Sequence, residues 1–177
     1  MGRRPTHLVK YIAALMFSKD ELNREAKHNL ETQFGEIDQE SPAFRFTHTE
    51  YYAKEMGPDL MKQFVSFKKL KEREELVSLK LYAMGLEDQF AKAGQRQVNI
   101  DPAYLELAKL VVASRKNFDH RIYLGKGVFA DLQLRYRHGQ FVALEWTYPD
   151  YQSEIVLTFL QRVRARYYDE LNCVAYE

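Results

Sequence analysis

The stretch that decides the fold lies near the start of the chain, where residues 8–17 read LVKYIAALMF and Ser18-Lys19-Asp20-Glu21 follows directly. A nearly continuous apolar run with β-branched and aromatic members is typical of a strand buried on both faces. Ser18 and Glu21 have the spacing of a capping box, which marks a helix start. The apolar residues that follow repeat at every fourth position, at Leu22, Ala26, Leu30 and Phe34. Gly35 fits a helix end, so the sequence predicts a strand followed by a helix.

The next segments continue this alternation of strands and helices. An extended segment is predicted over residues 36–57, and Phe64-Val65-Ser66-Phe67 predicts a second short strand. Apolar residues at three-four spacing predict a long helix over Glu72–Phe90, and Arg96–Ile100 predicts another strand. The order β-α-β-β-α-β over residues 8–100 is that of a ferredoxin-like split βαβ core.

Beyond this core the sequence predicts a helix, an antiparallel hairpin and a C-terminal helix. Asp101 followed by Pro102 has the form of an N-cap and first helical position. Residues 128–137 alternate between apolar side chains and an outward set of Phe129, Asp131, Gln133, Arg135 and Arg137, which predicts a half-buried strand. His138-Gly139 predicts a tight turn after that strand, and Ser153 predicts the cap of a final helix. The fold class expected is α+β, with residues 1–177 forming a single domain.

Composition narrows the function classes. The 177 residues are 46% hydrophobic and 14% aromatic, which favours a folded domain with a substantial core. The net charge of +1 lacks the basic surplus of a typical nucleic-acid binder. A single cysteine, Cys173, excludes an internal disulfide and zinc sites made of several thiolates. The basic segment Met1–His7 precedes an apolar run that is too short to cross a bilayer. We therefore expect a cytoplasmic protein without membrane association.

Polar residues of the kinds that bind ligands concentrate in three segments, 96–104, 119–127 and 145–151. None of the three contains a motif whose spacing fixes a chemistry. In the first, Asn99 and Asp101 lie two positions apart at the end of a predicted strand, so their side chains leave the same face. They could orient an anionic ligand near a helix N-terminus, or Asp101 could simply cap that helix.

The second segment offers an acid–base group and a glycine-rich turn. His120 lies beside Asp119 and Arg121, and it could act as a general acid or base or be a packed strand-edge residue. Gly125-Lys126-Gly127 could cradle a phosphate through its amides, or could be only a hairpin. Thr47-His48-Thr49 matches the first element of two-histidine phosphoesterases, but His120-Arg121-Ile122 lacks the hydroxyl of the second.

Two further segments carry alternatives of the same kind. Trp146-Thr147-Tyr148-Pro149-Asp150-Tyr151 could stack a flat ligand or close one end of the core. Glu50, Glu55 and Asp59 could supply oxygen ligands to magnesium, but their spacing matches no metal loop. A solvated loop is the favoured interpretation, and no metal site is predicted.

The same segments carry a resemblance. The pattern Arg96-x-Val98-Asn99-x-Asp101-Pro102, the run His120-Arg121-Ile122-Tyr123-Leu124-Gly125 and the run Trp146 to Tyr151 resemble a bacterial family catalogued as domain of unknown function 4416. No established activity comes with this resemblance. Members sometimes carry a GTP-binding label, but this chain has neither a phosphate loop nor Asn-Lys-x-Asp. The family often has Gly where this chain has Ala103. The alanine needs no positive φ here, which favours a helix start at Asp101-Pro102. The family also tends to have an acid where this chain has Ala53, which weakens a metal site at Glu50–Glu55.

We therefore expect a small anionic or nucleotide-like ligand in a cleft formed by the three segments. The sequence identifies no cofactor and leaves open whether a reaction follows binding; His120 would be the acid–base group. The expected ligand-binding residues are Asn99, Asp101, Tyr104, Lys109, Arg121, Lys126, Trp146 and Tyr148. One alternative is an RNA-contacting accessory domain that uses Arg135, Arg137, Arg162, Arg164 and Arg166. Another is a homo-oligomeric or partner-docking module without a small ligand.

Overall fold

The first half of the chain folds as alternating strands and helices. The computed structural model describes residues 8–174, so the basic segment Met1–His7 lies outside the described residues. The elements of this half are β1 (Leu8–Phe17), α1 (Asp20–Phe34), β2 (Ile37–Glu40), β3 (Phe44–Arg45), α2 (Ala53–Met56), β4 (Met61–Phe67), β5 (Lys71–Glu72), α3 (Leu76–Phe90) and β6 (Val98–Leu105).

The second half is mostly strand until a long final helix. Its elements are β7 (Lys109–Ser114), β8 (Arg121–Gly125), β9 (Val128–Arg137), β10 (Gln140–Ala143) and α4 (Glu154–Val174). A short helical turn at Pro149–Gln152 precedes α4. No helix among the described residues is both long enough and apolar enough to cross a membrane.

All the strands join one antiparallel sheet of ten strands with the main order β10-β9-β7-β6-β1-β4-β2. Three strands lie off this path, since β3 pairs with β4, β5 with β1, and β8 with β9. Within the sheet, β6-β1-β4-β2 together with α1 and α3 has the strand order of a split βαβ unit, as the sequence of residues 8–100 predicts. The α+β class is confirmed.

The sheet is covered on both faces, and this explains the nearly continuous apolar run of β1. On one face α1 and α3 pack over a core that includes Tyr11, Phe34 and Leu79. On the other face α4 packs over a second core, which includes Ile12 and Phe159. Successive side chains of a strand point to opposite faces, so both the odd and the even positions of β1 are buried. The one charged residue among them, Lys10, is paired with Asp38 and Glu170.

The helix predicted from Asp101 is wrong, because β6 continues through Leu105 and turns into β7. The β-branched pair Val111-Val112 is buried in the sheet rather than on a helix face. Proline is normally excluded from a central strand since it cannot donate a backbone hydrogen bond. Here β6 pairs with β7 only over Ala103–Leu105, so Pro102 removes no donor from that ladder.

The turns predicted from the sequence agree with the structure better than the predicted helix starts do. Lys126 and His138 both have positive φ, 50° in each case, in the β8–β9 and β9–β10 hairpins. Ser153 accepts a bond from the Val156 amide at 3.4 Å, as expected of a cap of α4. The capping box at Ser18 is wrong, since α1 begins at Asp20 with no side-chain cap.

Candidate ligand-binding site

A cavity of about 580 Å³ opens where β6 and β7 separate. The two strands are hydrogen-bonded from Ala103 to Leu105 and diverge on the N-terminal side of Ala103, so that Asn99 and Asp101 form one lip and Ser114 lies on the other. The remaining walls come from α3, β9, the loop before α2 and the turn before α4. We call this the main cavity. Its charged lining consists of Lys62, Lys80, Glu87, Arg96, Asp101, Arg115, Lys116, Asp131 and Asp150.

One wall is a continuous chain of polar bonds. The Lys80 ammonium donates to Asp101 Oδ1 at 2.9 Å, and Asn99 Nδ2 donates to Asp101 Oδ2 at 2.8 Å. Arg96 donates to Asn99 Oδ1 at 2.9 Å and binds the Glu55 carboxylate with two further nitrogen atoms. Each side chain is held by its neighbours, so this wall is preorganised rather than adaptable.

Two carboxyl groups of this wall differ in their ionisation. Burial alone would raise the pKa of Asp101, but the ammonium groups of Lys80 and Lys62 and the Asn99 hydrogen bond hold it below its usual value. Burial raises the pKa of Glu87 to about 7, against the opposing charge of Lys80. Glu87 also accepts a bond from the Ile100 amide at 2.6 Å. Asp101 is therefore a fixed negative charge at neutral pH, whereas Glu87 can gain or lose a proton there.

The floor holds a buried ion pair enclosed by aromatic rings. Lys62 Nζ lies 2.5 Å from Asp150 Oδ2, and the two side chains are 8% and 4% exposed. The same ammonium lies 5.2, 5.5 and 5.3 Å from the ring centroids of Phe46, Phe64 and Tyr151. Rings at this range attract a cation through their electron-rich faces, which partly offsets the desolvation of Lys62.

A third polar group reaches the cavity from β9. Asp131 is buried, accepts a bond from Gln133 Nε2 at 2.9 Å and lies 2.8 Å from Arg121 Nε. Arg121 also donates to the Tyr148 hydroxyl at 2.6 Å. The prediction that the polar row of β9 faces outward is thus wrong for Asp131 and Gln133, which are both buried. Asp131 is paired with Arg121, and Gln133 is bonded to Thr147 and to the Tyr148 amide.

The mouth of the cavity differs from its interior because its cations are not neutralised. Lys116 Nζ lies 4.3 Å above the Tyr51 ring, and Arg115 Nη1 contacts Met84 Sδ at 3.3 Å. Neither Arg115 nor Lys116 forms an ion pair with any residue from 8 to 174. Both are exposed, and Tyr51 and Tyr148 beside them are 59% and 42% exposed. Positive charge and aromatic surface therefore meet at the entrance.

Several residues predicted from the sequence do lie together. Asn99, Asp101 and Tyr148 line the main cavity. Arg121 lies directly behind it and bonds to two lining residues, Asp131 and Tyr148.

His120 and Trp146 lie elsewhere, in a shallow hollow of about 550 Å³ that they form with Asp119 and Glu145. The His120 ring stacks on Trp146 at 4.8 Å, and the Trp146 indole donates to Leu132 O at 2.7 Å. Trp146 thus closes the end of β9, which is the alternative that the sequence left open. His48 lines the main cavity instead, so the two histidines of the phosphoesterase hypothesis do not share a site.

Three predicted residues line neither cavity. Tyr104 points to the opposite face of β6, where its ring lies 6.3 Å from Tyr11. Lys109 lies 3.7 Å from Glu106, and Lys126 is exposed at the tip of the β8–β9 hairpin. The structure therefore does not bring these three side chains into the cleft. Tyr104 and Lys109 lie on β6 and β7 instead of on a helix after Asp101, and the Gly125-Lys126-Gly127 turn is an exposed hairpin tip.

Sequence reasoning missed Lys62, Lys80, Glu87, Asp131 and Asp150. Lys62 lies in β4, where every residue after Met61 is buried, and Lys80 stands among the buried positions of α3. Burying a charged residue costs free energy unless the charge is paired. A charged residue at a position that periodicity assigns to the core can therefore indicate a site.

Residues of two other hypotheses are engaged in contacts within the protein. Glu55 binds Arg96 and Asp59 binds Arg45, and no cluster of three metal-ligating side chains occurs among the described residues. The α4 arginines are engaged within the protein. Arg162 and Arg164 donate to the carbonyls of Glu40 and Leu107, and Arg166 donates to Glu170.

The comparisons with known proteins place the chain in a family. The family model described as "Domain of unknown function (DUF4416)" matches residues 7–167, so the chain belongs to that family. Neither the curated proteins nor the solved structures gave a match. The matched range contains every residue of the main cavity.

Proposed function

We propose that the protein binds a small anionic, nucleotide-like molecule in the main cavity. The observation that carries this proposal is the contrast between the paired charges of the interior and the unpaired cations at the mouth. Lys80 and Lys62 are neutralised by Asp101 and Asp150, whereas Arg115 and Lys116 have no described carboxylate partner. An anion that enters the mouth would supply the missing charge.

The aromatic groups at the entrance suit a flat ring. Tyr51 and Tyr52 meet edge to face at 5.1 Å, and Tyr148 lies among the residues of the opposite wall. Aromatic side chains stack on nucleobases with about 1–3 kcal/mol per base. An anionic group on Arg115 or Lys116 would leave an attached ring next to these tyrosines.

The interior suits a molecule that carries hydroxyl or amino groups. Asp101 is ionised and its carboxylate can accept more hydrogen bonds than the two it receives from Lys80 and Asn99. Asp131 offers a second acceptor in the same cavity. A nucleoside phosphate combines an anion, a flat ring and hydroxyl donors, and so matches all three parts of the lining. Pockets of roughly 300–1,000 Å³ are usual for such ligands, and this cavity falls within that range.

Native mass spectrometry of the protein as purified, followed by calorimetric titration with defined compounds, tests the proposal. The compounds are nucleoside monophosphates and triphosphates, the matching uncharged nucleosides, and inorganic phosphate. We expect the nucleotides to bind more tightly than the nucleosides or phosphate alone. If none of the anionic compounds binds at millimolar concentration and no small molecule is retained, the proposal is wrong. Submicromolar binding of generic RNA at physiological salt would favour the accessory-domain alternative instead.

A further inference from the structure

Exposed apolar side chains concentrate in one short segment of the chain, and none of them lines the main cavity. Phe118, Ile122, Tyr123 and Leu124 are 53%, 68%, 61% and 42% exposed. They are four of the eight large apolar or aromatic residues identified as exposed in the described chain, and they fall within seven positions. Exposed apolar side chains grouped this closely on a folded protein commonly mark an interaction surface. We call these four residues the patch.

The patch coincides with a free sheet edge. Among the described strands, β8 pairs only with β9, so its other edge carries backbone donors and acceptors without a strand partner. Proteins usually protect such an edge with lysine, proline or a covering segment. Positions 122–124 have neither lysine nor proline, and the side chains on both faces of the strand are exposed.

We propose that a second copy of this chain pairs with β8 in antiparallel fashion and forms a symmetric dimer. A two-fold axis through Tyr123 would place Ile122 of each chain opposite Leu124 of the other, on one face of a continuous sheet. Cross-strand pairs of large apolar residues are stabilising. Self-pairing also leaves no free β8 edge, because each copy uses the same patch and a third copy has no unpaired β8 to bind.

The charges next to β8 are complementary in this register. Residue 126 of one chain would then lie opposite residue 120 of the other. Lys126 is exposed at the hairpin tip, and His120 lines the shallow hollow that also contains the carboxylates of Asp119 and Glu145. Each acidic hollow would therefore receive a lysine from the other copy. This charge complementarity favours a second copy of the chain as the partner, because the chain itself carries both the lysine and the carboxylates that would pair.

Light scattering after size exclusion tests the dimer on the full chain. We expect a mass of twice 20.9 kDa for the native protein at micromolar concentration. Ile122→Lys places a like charge on both sides of the axis and should shift the protein to a monomer. Lys126→Glu should weaken the dimer at least about tenfold, and Asp119→Lys in the same chain should restore part of the loss, since it reverses the pair. Ile155→Lys is the matched control, because Ile155 is an exposed apolar residue of α4.

Cross-linking tests the register even if Ile122→Lys fails to fold. In a Cys173→Ser background, Tyr123→Cys should form a disulfide across the axis under mild oxidation, because paired residues on adjacent strands have the Cα separation that a disulfide requires. Ile155→Cys should not. A native protein that is monomeric at all concentrations up to about 100 µM would overturn the proposal. So would a dimer that Ile155→Lys disrupts and Ile122→Lys leaves intact. Neither result depends on ligand binding in the main cavity.

Discussion

Lys80 of α3 and Asp101 of β6 form an ion pair at 2.9 Å in the wall of the main cavity, with the lysine side chain only 6% exposed. The pair ties the helix to the strand at the point where β6 leaves β7. It also fixes Asp101 as a negative charge in the cavity, because the ammonium group keeps the pKa of that carboxyl low. The stability of the site and its capacity to accept hydrogen bonds therefore have the same origin.

Breaking this pair from the lysine side should destabilise the protein. Lys80→Met leaves Asp101 without its main counter-charge, and we expect a loss of about 1–3 kcal/mol in the free energy of unfolding, measured with urea. Lys80→Met combined with Asp101→Asn removes both charges and should recover part of the loss. If the single and double variants are equally destabilised, the two charges are not coupled.

Because Asp101 lies in a strand and not at a helix start, we expect its substitutions to affect stability differently from those of a helix cap. Serine caps a helix about as well as aspartate, so a cap would tolerate Asp101→Ser and lose roughly 1 kcal/mol with Asp101→Ala. In the structure the carboxylate is needed to pair with Lys80. We therefore expect Asp101→Ser and Asp101→Ala to lower the thermal midpoint by similar amounts, and a clear advantage of serine would contradict this.

Glu87 should give the protein an unusual dependence on pH. Its pKa is about 7 in the folded chain, whereas an unfolded glutamate has a pKa of about 4.3. Between these values the folded state binds more protons than the unfolded state. The stability associated with Glu87 is thus fully present below the unfolded pKa and is lost as pH rises through 7.

The matched variant for this effect is Glu87→Gln, which resembles the protonated acid and keeps an acceptor for the Ile100 amide. We expect the native protein to lose on the order of 2 kcal/mol of stability between pH 5 and pH 8 relative to this variant. Denaturant curves at several pH values measure the difference. Parallel pH profiles for the two proteins would show that Glu87 does not have a raised pKa.

The sequence predicted the core of the fold well, because a single physical pattern determines each element. The apolar run of residues 8–17 can be satisfied only by a strand covered on both faces, and the spacing of Ala26, Leu30 and Phe34 only by a helix with one buried face. The Asp101-Pro102 prediction failed because two patterns compete there. An acid before proline suits a helix start, but it also suits a strand that has lost one neighbour and borders a cavity.

The site was predicted only in part, for a related reason. Asn99, Asp101 and Tyr148 were found because polar residues stand out at the ends of elements. Asp131 and Gln133 alternate with apolar residues, and alternation alone cannot distinguish a solvent-facing row from a row that faces a polar interior. Lys80 approaches Asp101 through a contact between residues that are 21 positions apart, which no local pattern encodes.

The ratio of dissociation constants between the native protein and an Arg115→Ala, Lys116→Ala double variant tests the central claim most directly. The ligand is the nucleotide that binds most tightly in the titrations, measured by calorimetry at physiological salt. Arg137→Ala is the control, because it removes an exposed cation of β9 that does not line the main cavity. We expect the double variant to bind at least about tenfold more weakly, which corresponds to about 1.4 kcal/mol, and the control to bind as the native protein does. Unchanged affinity in the double variant, or an equal loss in the control, would contradict the assignment of the ligand to the main cavity.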